Sequence, residues 1–506
     1  MARLHEYQGK NLLRSAKIPV PEGGPASTPE EASEIAARIG GPAVVKMQAW
    51  TTSRAAQGGI QFADTPEQAA RAAGEMLGKR VGSFTVDRVL VEQKLDIARE
   101  LFASIIVDDA AHQPLLLVST AGGSGVEDRA KSGPLAQQHI DVRQGLPDYV
   151  ARNLVRGLGI HGTVQRDLAT ALVRLVAMAR KVEARSAEIN PLVVTAQGKV
   201  VAADCRVTVD DYAAFRHPEL GIEIARELDH PPTELERIAY AVERDDHRGT
   251  FYFAQLARDF GADEAYIGFH GAGGGGSMMS MDAVTRAGFK LANFTDTSGN
   301  PSAAKVYRAA RIILAQPNLV GYFGSGSGVA SQEQYHSAYG LAKAFWEMNL
   351  SIPAVVRLGG NSEDRAVQIL NEYCRDLPAT IEGYRKDDTP DACAARLRAL
   401  VDERRGQPPA AMSRRTPTPA PGALSFAING GTVHLDVDRC DEATNALLLE
   451  YGGGIFEIEG GKPVLKLSPE EVAGKDSELI ACEIECRARA NDVLWVDLSI
   501  PGLDTA

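Results

Sequence analysis

Positive charge is in deficit in this 506-residue sequence: 54 Lys and Arg stand against 66 Asp and Glu, a formal net charge of −12. Nucleic acids and anionic membranes are bound by neutralising phosphate, so neither is expected as a partner of so acidic a chain. Aromatic residues are scarce, at 6%. The six cysteines, at 205, 374, 393, 440, 482 and 486, form no CxxC pair, and reduced buried thiols are the expected state. Cys482 and Cys486 are spaced to meet on a helix. No apolar run reaches the roughly 18 residues that suggest a membrane-spanning helix. The opening MARLHEYQGK holds no apolar signal-peptide core, which makes the cytoplasm the expected compartment. HExxH, GxSxG and metal-spaced Cys/His clusters are all missing, so zinc-protease and serine-hydrolase chemistry have no basis here.

What is present is glycine, 49 residues of it, in a chain that is 44% hydrophobic and 24% charged. Those proportions suit a soluble α/β protein, and the length suggests about three or four domains. Residues 1–20 read as a helix followed by an extended stretch. Thr28-Pro29-Glu30-Glu31 and Thr65-Pro66-Glu67 each read as an N-cap, a proline at the first helical position and acids in the first turn. Strands are expected at AVVKM (43–47), VLVEQ (89–93), LFASIIVDD (101–109) and PLLLVST (114–120), and a long helix near 164–184. Two strands across a Gly-Lys turn then carry SAEINPLVVT and GKVVAADCRV. This half, 1–235, is α+β with antiparallel pairing.

Over 236–405 the pattern becomes strand, glycine loop and helix in repeated order, the mark of a doubly wound parallel sheet. Such sheets bind ligands at the carboxyl ends of their strands. Residues 406–423 are rich in Pro and Ala and read as a semi-extended linker. Short strands (LSFAI, TVHLDV, IFEIE, PVLKL, LIACEIE, VLWVDLSI) make 424–506 a small separate domain, β-rich or α+β.

Several residues suggest chemistry. Lys46 ends a strand and precedes the small-residue loop 50–59, which includes Ser53 and Arg54 and whose backbone N–H groups are suited to phosphate. A surface lysine fits that position too. Glu92 and Glu100 suit a nucleotide or a metal, or are solvated acids. EINPL (188–192) faces Asp204 across the hairpin, so Asn190 and Asp204 are placed to offer hard oxygen donors to Mg²⁺. Glu188, two residues from Asn190, shares its strand face. The alternative is a turn Asn beside proline and a surface acid. HGAGGGGSMMSMD (270–282), TSGNPS (297–302) and GSGSG (324–328) bring glycine loops and helix N-termini to one predicted sheet edge, a phosphate or carboxylate site or a set of tight turns. His270 begins the first of these loops, and an ordinary structural histidine also fits there.

Taken in order, these segments resemble the β subunit of succinyl-CoA synthetase (succinate–CoA ligase). The match runs from LHEYQGKNLLRSAKIPVPEG through VVKMQ, LVEQ…IARELF, AEINPLVV and FRHPEL to ANFTDTSG, AAKVYRAARIIL and PAVVRLGGN, over about residues 3–385. The resemblance implies an ATP-grasp domain followed by a flavodoxin-like CoA-ligase domain. It implies a ligase acting on a small (di)carboxylic acid, with ATP/ADP (or GTP/GDP), Mg²⁺ and CoA. CoA would sit mainly on an α-type partner that carries a phosphohistidine, which makes the assembly a hetero-oligomer.

By position, Lys46, Ser53 and Arg54 would meet the nucleotide phosphates, Glu92 the adenine–ribose hinge, and Glu100 the ribose or phosphates. Asn190 and Asp204 would hold Mg²⁺, with Glu188 beside the phosphohistidine. Gly324, Ser325 and Gly326 would belong to a loop capping the helix that faces the CoA-side site. The sequence departs from the family at WTTSRAAQGG, at His270 and at DTSGNPS. A modified acid whose extra polar group meets His270 or Ser298 is therefore expected as readily as succinate. A non-catalytic scaffold and an ATP-grasp carboxylate–amine ligase stand as alternatives, and 424–506 has no counterpart in the family pattern.

Overall fold

Both proline-led helices start where their caps place them. Thr28 accepts from the Glu31 amide at the head of Pro29–Ile39, and Thr65 accepts from the Gln68 amide at the head of Pro66–Met76. The computed structural model describes residues 2–49, 58–82, 84–122, 135–226, 230–245, 251–261, 263–326, 330–406, 412–489 and 491–504. The chain divides into two compact units, Met1–Pro232 and Thr233–Ala506.

The first unit holds two larger antiparallel sheets and the small two-stranded pair Arg80–Val81 and Phe84–Thr85. In one, the strands run Gly23–Ala26, Val89–Gln93, Ala43–Met47, Ile60–Ala63, and the two capped helices cover it. In the other, the long strands Ile97–Asp108 and Ala184–Thr195 form the centre, joined by Val200–Ala202 and Arg206–Val209. The expected long helix is Gly162–Lys181.

The second unit is built on a sheet ordered Tyr252–Gln255, Asn293–Asp296, Tyr266–Ala272, Leu319–Gly326, Ala354–Arg357, Ile381–Tyr384. All neighbours on this path are parallel except the first pair. Among the described residues no helix is long and apolar enough to cross a membrane.

Three readings of the sequence change here. The glycine run after His270 is not a loop. Gly274–Arg286 is a helix, and its first residues are those glycines. A side chain at Gly271 would collide with Ser277 Oγ at 2.1 Å, so the helix seats tightly on its strand. Second, Gly324, Ser325 and Gly326 close the strand Leu319–Gly326 and do not cap the next helix. A short strand, Ala330–Glu333, intervenes, and the helix Tyr335–Glu347 begins only after Gln334.

Third, residues 424–506 are not a free-standing module. Their three-stranded sheet, hairpin and helices share one apolar core with the parallel-sheet layer, from Ile238 to Ile500. LIACEIE, read as a strand, lies in the helix Asp476–Arg489. Ile480, Cys482 and Ile484 alternate with Ala481, Glu483 and Glu485, a period of two that reads as a strand, yet in the helix both sets are buried and the glutamates find cationic partners. The described part of the linker is also pinned: Arg414 pairs with Glu347, Asp497 and Asp504.

Candidate functional site

In the first unit the two sheets and the N-terminal helix Glu6–Ser15 meet at a cluster of buried charges. Lys46, on Ala43–Met47, is 9% exposed, and Glu92, on the adjacent strand, is 1% exposed. Lys46 Nζ lies 3.0 Å from Glu92 Oε2, 2.9 Å from Glu6 Oε1 and 2.7 Å from the Ala203 carbonyl. Lys10 Nζ reaches the same three acceptors at 2.5, 2.9 and 2.8 Å. Two ammonium groups and two carboxylates thus form a neutral square closed by one carbonyl. Burial disfavours the charge on Lys46, but Glu6, Glu92 and Asp204 outweigh it and hold the amine well above its ordinary pKa.

The Ala203 carbonyl joins this square to the hairpin. Glu188 lies opposite Arg206, and Leu192 lies opposite Ala202. The register is the same on both sides, so Asn190 and Asp204 between them face one another. Both are half-buried, as is Glu188. Asp204 Oδ1 also accepts from the Cys205 amide at 2.6 Å. Among the described residues no group of three His, Cys, Asp or Glu gathers as a metal cage. A facing amide and carboxylate leave most of a coordination sphere to water and phosphate, which is the way Mg²⁺ is usually held.

Glu100 stands apart from the square, exposed on Ile97–Asp108 opposite Val193. Ser53 and Arg54 lie outside the described residues, as does Gly328. Sequence reasoning missed Glu6 and Lys10. An i,i+4 Glu–Lys pair on a helix normally marks a solvated face, and that pattern hid them. Gly9 between them was the available signal. A Cβ there would meet Cys205 Sγ at 2.9 Å, so this helix face lies against the hairpin.

In the second unit the strands Tyr266–Ala272 and Leu319–Gly326 run in parallel, with His270 opposite Gly324 and Gly271 opposite Ser325. His270 is 5% exposed. Its Nδ1 lies 2.6 Å from Tyr322 Oη and its Nε2 3.2 Å from Thr297 Oγ1, so both ring nitrogens are engaged by protein groups. Burial pulls its pKa down to about 4, which keeps the ring neutral near pH 7. Ser325 Oγ is 2.6 Å from Ser280 Oγ on the glycine-led helix. Asp296 Oδ1 accepts from the amides of Gly273 and Ser298, tying the helix start to the Ser298 turn. Ser298 adopts a positive φ of 63° there and is half-buried. The structure thus brings His270, Ser298, Gly324, Ser325 and Gly326 to one end of one sheet, with His270 inside it.

The ATP-grasp domain family model matches residues 3–194, within the first unit. The succinate–CoA ligase [GDP-forming] β subunit of Thermus thermophilus is 37% identical over 370 residues, covering 72% of this chain and 93% of that protein. The [ADP-forming] β subunit of Rubrobacter xylanophilus is 35% identical over 376 residues, 73% and 92% of the two chains. The chain belongs to the succinate–CoA ligase β-subunit family, a family of ligases. ATP citrate lyase from Methanothrix soehngenii, solved with citrate and coenzyme A, shares the fold. Its TM-score is 0.63 at 19% identity, covering 79% of this chain and 99% of that one.

Proposed function

We propose that this chain is the nucleotide-binding β-type subunit of a cytoplasmic acid–CoA ligase. It would join a small (di)carboxylic acid to CoA with ATP, or GTP, as the energy source. The observation that carries this reading is the convergence of Lys46 with the facing Asn190 and Asp204 in an ATP-grasp unit. Phosphoryl transfer needs charge neutralisation and in-line positioning more than covalent help from the protein.

Lys46 would meet the phosphates, Ser53 and Arg54 would close over them, Glu92 would lie at the nucleoside hinge with its carboxylate held by the two lysines, and Glu100 would approach the ribose or phosphates. Asn190 and Asp204 would hold Mg²⁺, which when bound offsets phosphate charge. Glu188, on the same strand face as Asn190, would border the entering histidine of an α-type partner. In this scheme the γ-phosphoryl group passes to that histidine as the diphosphate leaves. It then passes to the acid as an acyl phosphate, and CoA sulfur displaces phosphate to give the thioester. Ser298, Gly324, Ser325 and Gly326 would border the acid, with His270 shaping the pocket from beneath.

The test is co-purification with an α-type partner, followed by assay of acid-dependent thioester formation across succinate and its hydroxylated relatives. Acyl-CoA should form only when both chains, Mg²⁺ and nucleotide are present. Full activity of the isolated chain, or an amide product from an amine acceptor in place of CoA, would overturn the proposal.

A further inference from the structure

Lys10 and Lys46 bind the same three acceptors, yet they differ in position. Lys10 is 1% exposed and rises from the helix Glu6–Ser15. Lys46 is the more exposed of the two and sits at a strand end. A buried carboxylate stripped of its partner is costly, so an ion-paired lysine cannot ordinarily be withdrawn to meet a ligand. Here it can. If Lys46 turns away, Lys10 still bonds Glu6 Oε1, Glu92 Oε2 and the Ala203 carbonyl.

We infer that Lys10 is a positioning residue for nucleotide binding. It is the resident counter-ion of Glu6 and Glu92, and it releases Lys46 to the phosphates. This rests on the nucleotide role proposed above. Without Lys10, Lys46 is the one of the two lysines that still faces both carboxylates. It is then held more tightly, and a phosphate must compete with both. Glu6 opposes binding for the same reason, because it is one of the two acids that retain Lys46.

The experiment measures Mg²⁺·ADP binding to the full chain by calorimetry, with a melting curve for each variant. K10M should weaken binding by about tenfold or more, a difference of about 1.4 kcal/mol. K10M/E6Q, which removes one charge of each sign, should recover most of that loss. E6Q alone should bind ADP more tightly than the unaltered chain, an effect opposite to that of simple structural damage. It also keeps the inference testable if K10M does not fold. Equal affinity of K10M and the unaltered chain would overturn the role of Lys10. So would a double variant no better than K10M, or an E6Q chain that binds no more tightly. Failure of the unaltered chain to bind Mg²⁺·ADP would instead sink the nucleotide reading itself.

Discussion

Each unit of this protein buries a cluster of charges, and the two clusters are built in different ways. In the first unit two lysines share one set of acceptors, and the cluster borders half-buried polar residues. In the second, charges are enclosed and divided among many partners. Lys343 sits 2.5 Å from Glu347 and 2.8 Å from Glu483, with its amine over the Trp495 ring. Arg414 and Tyr307 also hold Glu347. Burial opposes the Glu347 charge, but Lys343, Tyr307 and Arg414 keep the carboxyl below its usual range. Arg365, Tyr339 and Tyr373 converge on Glu485 in the same way. Redundancy lets a cation leave, whereas distributed pairing keeps every group in place.

The sharpest way to break this comparison is to cut the chain after residue 411. That removes Glu483, Glu485, Asp497 and Asp504 and leaves Lys343, Arg311 and Arg365 short of anions in a core opened to water. The second unit should lose cooperative unfolding by circular dichroism, while the first keeps its transition. A truncated second unit that melts unchanged would show that the C-terminal segment is an accessory after all.

Single substitutions come next. Glu483→Gln should cost the second unit about 3–5 kcal/mol in urea unfolding, the usual penalty for breaking a buried pair. Lys46→Met should cost the first unit clearly less, because Lys10 still bonds all three acceptors. Equal losses would erase the distinction.

A smaller effect comes from His270. Its folded pKa of about 4 lies below the ordinary 6.5, so below pH 6.5 the unfolded chain takes up a proton that the folded chain does not. Stability of the second unit should therefore fall by about 1.4 kcal/mol per pH unit from 6.5 down to 4. His270→Asn should flatten that slope in urea melts run at successive pH values. The smallest effect is expected at an exposed cap. Thr28→Ala should cost the first unit about 1 kcal/mol and leave the second unit's transition where it is.

The alternation of strands and the capped helices were legible in the sequence because each carries a local signal. Thr28 and Thr65 announce helix starts, and AVVKM and VLVEQ read as the strands they are. Asn190 and Asp204 could be paired because a two-stranded hairpin has a countable register. What escaped was set by distant packing. Glu6 and Lys10 look like a surface pair until Gly9 is seen against Cys205. The helix Asp476–Arg489 resembled a strand because its partners, at Lys343 and Arg365, lie far away in sequence. The sequence left His270 open between a ligand-facing and a structural residue, because nothing local reveals that Tyr322 and Thr297 take its two nitrogens.

The enclosed cluster also bears on how the protein is made. Lys343 waits 140 residues for Glu483, and Arg311 waits 193 for Asp504. A chain emerging at about 5–20 residues per second therefore exposes those helices for many seconds before their anions exist. The first unit, Met1–Pro232, is a compact body with its own internal contacts. On the ribosome it can be finished while the second unit still lacks the anions of its buried cluster.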